Sequence, residues 1–254
     1  MTHEVSVVLP AYNAAGEIAA SVHALMAFFD TCTLDGQVIV ADDGSTDSTA
    51  ESVPSRPGVT VVRLPRNRGK GAAIRAGMAA ADGRVRLFTD ADLPYGTDPI
   101  LVALRHINDR GFHAVVGDRT LPGSTYQHEG LLRRSVSELA SFTFRTLITG
   151  GIYDTQCGFK AFRGDVADEL FRISRVDGFA VDVELIYLLL KYRLDIKRVP
   201  VQLRFNAGSS VRVLRDSARA GLDVLRMRLR WAAGAYRSPG LDRILASESL
   251  VGDV

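Results

Sequence analysis

Acidic residues follow two of the strand-like segments in this 254-residue sequence. Asp42-Asp43-Gly44-Ser45 comes after the apolar residues 38–40, and Asp90-Ala91-Asp92 comes after residues 85–89. Open α/β sheets bind ligands at the carboxyl ends of their strands, so we expect both groups to face one crevice. Asp-x-Asp spacing offers the hard oxygen ligands that Mg²⁺ or Mn²⁺ prefers, and a diphosphate can complete the coordination. Together the two groups predict a site for a metal ion and a sugar nucleotide.

Each acidic group also has a purely structural interpretation. Asp-Asp-Gly-Ser is typical of a turn that caps a helix, and an isolated Asp-x-Asp is typical of solvated turn residues. The presence of both groups at strand ends favours the functional interpretation. Lys70 has two interpretations of similar weight, as a ligand of the nucleotide phosphates or as a solvated lysine at the start of a helix.

The elements that position these residues alternate between strands and helices. Apolar patterns predict strands at residues 5–9, 38–40, 59–64, 85–89 and 114–116, and helices at residues 18–29, 71–81 and 99–108. This alternation predicts right-handed βαβ units and an α/β fold with a mostly parallel, Rossmann-like central sheet flanked by helices. Residues 197–201 contain Pro200 and predict an edge strand. Residues 131–149 predict a further helical stretch, and residues 154–160 predict a turn that contains Gly158.

Composition excludes several other classes of protein. The sequence is 46% hydrophobic and 24% charged, as in ordinary globular domains, and a net charge of +2 gives no indication of nucleic-acid binding. Cys32 and Cys157 lack the spacing of a disulfide framework or a zinc site. The N-terminus has no secretory pattern and no apolar stretch is long enough to cross a bilayer, so we expect a cytoplasmic protein.

Three other classes of nucleotide-binding enzyme share this alternation of strands and helices. Dinucleotide oxidoreductases carry G-x-G-x-x-G after the first strand, where this chain has Pro10-Ala11-Tyr12-Asn13, and no P-loop motif occurs. A nucleotidyltransferase would place a glycine-rich loop with arginine and lysine at the same point. The sequence therefore disfavours all three classes.

Five segments in order resemble the family-2 inverting glycosyltransferases of GT-A fold. They are residues 7–13 (Val-Val-Leu-Pro-Ala-Tyr-Asn), 38–47 (Val-Ile-Val-Ala-Asp-Asp-Gly-Ser-Thr-Asp), 67–71 (Asn-Arg-Gly-Lys-Gly), 90–93 (Asp-Ala-Asp-Leu) and 154–160 (Asp-Thr-Gln-Cys-Gly-Phe-Lys). Within that family the chain resembles the polyprenyl-phosphate, or dolichyl-phosphate, glucosyl- and mannosyltransferases. Mannosyl members frequently have glutamine where this chain has Pro94, which favours the glucosyl type.

The resemblance implies roles for particular residues. The nucleotide-sugar site would comprise Pro10, Ala11, Tyr12, Asp42, Asp43, Lys70, Asp90, Ala91 and Asp92. Asp92 would bind Mg²⁺ or Mn²⁺ directly, Asp90 would contact the metal, the ribose or the sugar, and both would form the catalytic group with Arg119. Asp43 would contact the nucleotide or, alternatively, brace the turn. Arg119, Arg133, Arg134 and Arg212 would meet the acceptor phosphate or the donor diphosphate, although each is also consistent with an exposed surface charge. Asp182 and Glu184 would be a catalytic base for a hydroxyl acceptor or, more in keeping with a phosphate acceptor, positioning residues.

The implied function is metal-dependent, inverting transfer of a hexose, glucose from UDP-glucose, to a polyprenyl monophosphate. Transfer of mannose or an N-acetylhexosamine to the same acceptor is one alternative, and transfer to a soluble hydroxyl acceptor is another. A nucleotide-sugar-binding scaffold without activity is a third, which the intact Asp90 and Asp92 disfavour.

The C-terminal region carries a second pattern. Residues 211–237 contain seven arginines and two aspartates, a net charge of 7 − 2 = +5, with apolar residues every three or four positions. The apolar positions are Val211, Leu214, Ala218, Leu222, Leu225 and Leu229. A basic amphipathic helix of this kind predicts contact with the cytoplasmic face of a membrane; packing on the catalytic domain or on a membrane-protein partner is the alternative. We therefore expect a catalytic domain at residues 1–210 and a helix with a tail at residues 211–254.

Overall fold

The structure is a computed structural model that describes residues 3–124, 154–155, 157–203 and 213–249. Its strands are β1 Val5–Ala11, β2 Gly36–Asp42, β3 Val59–Arg63, β4 Val85–Phe88, β5 Ala114–Asp118, β6 Lys160–Arg163 and β7 Ile196–Pro200. Its helices are α1 Ile18–Cys32, α2 Lys70–Ala80, α3 Asp98–Asn108, α4 Gly164–Ile173, α5 Val181–Lys191, α6 Val213–Ala232 and α7 Pro239–Ser249.

The seven strands form one sheet in the order β3-β2-β1-β4-β6-β5-β7. The strands β3, β2, β1 and β4 are mutually parallel, and β7 is parallel to β5. Strand β6 lies between β4 and β5 and runs antiparallel to both. The predicted α/β fold with a mostly parallel sheet is confirmed, and β7, which ends at Pro200, lies at an edge as its proline requires.

The sequence did not predict strand β6. Residues 154–160 were expected to form only a turn, but Lys160 starts a four-residue strand whose residues 160–162 are buried. The strand begins and ends with a charged residue, so its sequence lacks the apolar run that indicates a buried strand. Helices α4, α5 and α7 were also not predicted.

Side chains of the sheet alternate between two buried layers. In β1, Val7 and Leu9 pack in the layer that contains α1 and α3. Val8 points to the opposite face, where α2, α4 and α5 pack. This alternation follows from the two-residue period of an extended strand. Because both faces are covered, β1 is apolar at almost every position and its carboxyl end is fixed in place.

The C-terminal helices pack on the domain, α6 against α5 and α7 against α4. Met227, Tyr236 and Leu241 are buried in the layer that contains α5. The ring of Trp231 meets that of Tyr192 edge to face, with centroids 5.5 Å apart. The hydroxyl of Tyr236 donates a hydrogen bond to the carboxylate of Glu184 in α5. The boundary between a catalytic domain at residues 1–210 and an appended region at residues 211–254 stays a prediction.

Helix α6 has two apolar faces. Val224, Met227 and Trp231 pack toward α5. Residues offset from these by two positions lie on the opposite side of a helix, and there Leu222, Leu225 and Leu229 are 55%, 55% and 61% exposed. Val211 and the side chains of Leu214 and Ala218, which belong to the same predicted face, lie outside the described residues. Among the helices that the structure describes, none combines the length and apolar character that crossing a bilayer requires.

The hydroxyl group of Tyr236 provides a test of how the C-terminal helices pack on the rest of the domain. Tyr236→Phe removes the hydrogen bond to Glu184 and leaves the ring in place. We expect the free energy of unfolding to fall by about 1.5–3 kcal/mol, the range for a hydrogen bond to a charged group. Urea denaturation measures this change. The control Tyr12→Phe alters a half-exposed ring and should stay within about 0.5 kcal/mol of the parent; equal stability of the two variants would contradict the docking.

Candidate active site

The carboxyl ends of β1, β2 and β4 lie side by side, as the sequence predicted. Hydrogen bonds join the segments that follow β1 and β2: the Asn13 N–H donates to Ser45 Oγ at 2.9 Å, and Thr46 N–H donates to Asn13 Oδ1 at 2.9 Å. Asn13 has φ of 52°, in the left-handed region that asparagine tolerates better than most residues. The two loops therefore form one connected wall beside the Asp90-Ala91-Asp92 segment.

Asp42 is fully buried at the end of β2. Its Oδ1 accepts a hydrogen bond from the Ser45 N–H at 2.9 Å. Arg63 Nε lies 3.1 Å from Oδ2, but within the described part of the chain Oδ2 accepts no hydrogen bond. A buried oxygen with unused acceptor capacity fits an N–H or O–H group of a ligand. Beside it, Ala11 is buried, Pro10 is half-buried and the ring of Tyr12 is half-exposed, so the three residues form an apolar border.

Asp43 braces the loop that leads into α2. Its carboxylate accepts hydrogen bonds from the N–H groups of Arg68 at 2.8 Å and Gly69 at 2.7 Å. Gly69 has φ of 110°, and a Cβ there would lie 2.6 Å from the carbonyl oxygen of Asp177. Only glycine fits this position. Asp43 thus acts on the loop that positions Lys70 at the start of α2.

Lys70 belongs to a cluster of four charges, which comprises the partly exposed Lys70 and Asp90 and the buried Lys160 and Asp182. Lys70 Nζ lies 2.7 Å from Asp90 Oδ1 and 3.6 Å from Asp182 Oδ2. Lys160 Nζ lies 2.5 Å from Asp182 Oδ1 and donates to the Cys157 carbonyl at 2.7 Å. Burial alone would lower the pKa of Lys70, but Asp182 and then Asp90 raise it above its usual range. The Lys70 amine is therefore a cation at neutral pH.

The two aspartates of Asp90-Ala91-Asp92 have opposite electrostatic surroundings. Burial would raise the pKa of Asp90, but Lys70, Lys160 and Arg119 outweigh burial and lower it. Burial raises the pKa of Asp92, and the charge of Asp90 raises it further. An added cation would relieve this excess of negative charge at Asp92. The oxygen ligands and the charge balance of the pair thus fit Mg²⁺ or Mn²⁺.

Arg119 follows β5 and forms a bidentate salt bridge with Asp154. Its Nε donates to Asp154 Oδ2 and its Nη2 to Asp154 Oδ1, both at 2.8 Å. Burial would raise the pKa of Asp154, but the hydrogen bonds and charge of Arg119 lower it. Nearby, burial and then Asp154 raise the pKa of Cys157 to about 11, so this thiol stays protonated at neutral pH. A buried, protonated thiol is a poor nucleophile, so Cys157 is unsuited to covalent catalysis.

The candidate bases Asp182 and Glu184 are both buried, and the carboxylate of each already has partners within the protein. Asp182 contacts two lysines of the four-charge cluster. Glu184 accepts from the N–H groups of Arg175 and Val176, at 2.9 Å and 3.0 Å, as well as from Tyr236. These contacts support positioning roles for both residues.

Sequence reasoning missed three residues of this site and named three that cannot be placed. Asp154, Gly158 and Lys160 lie at the site, and a Cβ on Gly158 would lie 2.0 Å from Asp90 Oδ2. All three belong to the segment 154–160, and the family resemblance of that segment is the signal that could have identified them. Arg133, Arg134 and Arg212 lie outside the described residues.

Comparison with known proteins identifies the class of this chain. The family model described as "Glycosyl transferase family 2" matches residues 6–171 of this chain. A dolichyl-phosphate beta-glucosyltransferase of Drosophila melanogaster is 32% identical, over 94% of this chain and 79% of that protein. The chain therefore belongs to glycosyltransferase family 2 and is a glycosyltransferase.

Solved structures confirm the GT-A fold. Mannosyl-3-phosphoglycerate synthase from Rubrobacter xylanophilus has a TM-score of 0.69 and 23% identity, over 94% of this chain and 78% of its own. Glucosyl-3-phosphoglycerate synthase from Mycobacterium tuberculosis, in complex with Mg²⁺ and uridine diphosphate, has a TM-score of 0.65 and 22% identity. That match covers 89% of this chain and 79% of the other.

The close approach of Gly158 to Asp90 gives a test of the site. Gly158→Ala places a methyl group where the Asp90 carboxylate lies, and Lys70 restrains that carboxylate from the other side. We expect turnover, measured as nucleoside diphosphate release from the donor, to fall on the order of 100-fold, the cost of a small misplacement. The matched control Gly178→Ala has no atom within 4 Å of the new methyl group and should keep parental turnover. Parental turnover in Gly158→Ala would contradict this geometry.

Proposed function

We propose that this glycosyltransferase moves glucose from UDP-glucose to a polyprenyl monophosphate by a single, inverting displacement that requires Mg²⁺ or Mn²⁺. The acceptor phosphate oxygen attacks the anomeric carbon, the bond to the nucleoside diphosphate breaks, and the diphosphate leaves with the bonding electrons. The relative from Drosophila melanogaster is named for glucosyl transfer to dolichyl phosphate, which supports the acceptor class.

This proposal is carried by one observation: the carboxylates of both candidate bases, Asp182 and Glu184, are already paired with lysines or hydrogen-bonded. A hydroxyl acceptor needs a group that removes its proton, and a free carboxylate near the site would supply one. Asp182 is neutralised by lysines and Glu184 holds three donors, so neither is poised for that task. A phosphate acceptor is already anionic at neutral pH and needs no base. The site therefore suits a phosphate acceptor better than a hydroxyl acceptor.

The geometry of the crevice supports a particular set of donor contacts. Asp42 Oδ2, which accepts no hydrogen bond in the described part of the chain, would accept an N–H of the base or an O–H of the ribose, and the half-exposed Tyr12 would cover the base. Asp92 with Asp90 would hold the cation together with the diphosphate; no group of three or more candidate metal-binding side chains occurs in the described ranges. When bound, the cation supplies positive charge that stabilises the departing diphosphate. Arg119, which Asp154 holds in place, would add positive charge on the same side of the site.

The proposed reaction has a direct test. UDP-glucose labelled in the sugar, incubated with Mn²⁺ and a polyprenyl phosphate, should give a lipid-extractable labelled product. Asp92→Ala should abolish the product, since it removes a metal ligand at the mouth of the site. The control Asp109→Ala alters an exposed carboxylate that follows α3 and should keep parental activity. Label that enters 3-phosphoglycerate and no polyprenyl phosphate would overturn the acceptor assignment.

We propose further that residues 211–254 attach the enzyme to the cytoplasmic face of a membrane. A long polyprenyl phosphate lies in a bilayer, so the enzyme must reach a lipid surface. The exposed leucines 222, 225 and 229 form one apolar row on α6, and the exposed Arg226 and Arg228 lie beside that row. Each arginine near an anionic leaflet contributes about 1 kcal/mol. The packed face of α6 holds the helix to the catalytic domain and leaves the leucine row for lipid.

Substitution of the leucine row tests this attachment. The triple variant Leu222→Gln, Leu225→Gln and Leu229→Gln should bind anionic liposomes more than about tenfold more weakly, since each leucine loses part of the 1.5–3 kcal/mol of full burial. Sedimentation with liposomes measures the bound fraction, and high salt should weaken binding of the parent. A matched control, Leu101→Gln with Val102→Gln, alters two exposed apolar residues of α3 and should bind as the parent does. Equal binding by the triple variant would assign the row to a protein partner.

A further inference from the structure

We infer that Lys160 is a positioning residue of the active site: by neutralising Asp182, it keeps Lys70 on Asp90. Lys160 comes from the start of β6, and its side chain is 1% exposed. It is therefore shielded from solvent, and its effect on the reaction must pass through the residues that it contacts.

The distances define a chain of contacts from Lys160 to Asp90. Lys160 contacts Asp182 Oδ1, and Lys70 contacts the other oxygen of the same carboxylate at 3.6 Å. Lys70 lies closer to Asp90, at 2.7 Å. Lys70 is thus shared between two aspartates and favours the one that belongs to the metal-binding pair. This preference depends on Asp182 having another cation.

Electrostatics explains why the preference would reverse without Lys160. The four-charge cluster contains two lysines and two aspartates, so its net charge is zero. Removal of Lys160 leaves a buried carboxylate with one cation nearby, and an uncompensated charge in the interior is strongly unfavourable. Lys70 needs to move only a short distance to pair with Asp182. Asp90 would then lose its nearest cation and its hydrogen bond.

The surroundings fix Lys160 and Asp90 in place. Lys160 pairs with Phe88 across the β4–β6 ladder, and its Nζ lies 5.6 Å from the centroid of that phenyl ring. The Asp90 carboxylate is confined on another side by Gly158. Asp90 therefore has one favourable orientation, and Lys70 maintains it. Loss of that orientation would affect the donor site although Lys160 touches no ligand.

The experiment compares Lys160→Met with the charge-neutral double variant Lys160→Met/Asp182→Asn. We expect Lys160→Met to weaken binding of UDP with Mn²⁺ by about 10- to 100-fold, the usual effect of a residue that supports a metal ligand. Replacement of Asp182 removes the competing charge, so the double variant should return to within about threefold of the parent, a non-additive result that independent sites do not give. Calorimetry measures the affinity without any acceptor.

Two further measurements separate positioning from general stability. The control Arg86→Met removes another buried cation, which pairs with Asp168 away from the four-charge cluster. It should lower the melting temperature and leave the affinity for UDP with Mn²⁺ unchanged. A crystal structure of Lys160→Met should place Lys70 Nζ at about 3 Å from Asp182 and beyond hydrogen-bonding distance from Asp90. This readout needs no ligand.

Specific outcomes overturn the inference. Parental affinity in a folded Lys160→Met, or equal loss in the single and double variants, would do so. If Lys160→Met fails to fold, the double variant carries the test: near-parental affinity supports the inference and a tenfold loss contradicts it. The inference rests on the proposed UDP and metal site, and failure of the parent to bind UDP with Mn²⁺ would refute that site. In that case the crystal structure still decides the position of Lys70.

Discussion

The active site depends on the cost of holding ionised carboxylates out of water. An unpaired buried charge is strongly unfavourable, so every aspartate at this edge of the sheet needs donors or cations nearby. Asp43 accepts hydrogen bonds from two backbone N–H groups, Asp154 pairs with the guanidinium of Arg119, and Asp90 pairs with Lys70. The carboxyl ends of the strands supply the positions, and these partners supply the orientations. Asp92 is the exception: its surroundings raise its pKa and favour an incoming cation.

Elements with strong apolar periodicity were predictable from the sequence. The strands β1, β2 and β4 and the helix α1 follow from apolar runs and from repeats of three and four residues, and their order implies the parallel half of the sheet. Because β2, β1 and β4 are parallel neighbours, Asp42 and Asp90 then lie at the same end of the sheet. Their roles rest on the resemblance to a family, since a turn or a helix cap can have the same residues.

The remaining features depend on tertiary contacts that no local pattern contains. Lys160 has the sequence appearance of an exposed residue, yet it is buried because Asp182 lies 22 positions away and meets it. Helix α6 has leucines at the spacing of a packing face, but the packed residues are Val224, Met227 and Trp231 on the other side. Two apolar stripes on one helix give no indication of which one the domain covers.

The insertion of β6 between β4 and β5 sets a lateral dimension of the crevice. Adjacent strands are about 4.8 Å apart, so one intervening strand separates β4 and β5 by about 10 Å. Asp90 follows β4 on one side of this interval and Arg119 follows β5 on the other. β6 therefore serves as a spacer of fixed width between the half of the enzyme that ends in the acidic pair and the half that ends in the guanidinium.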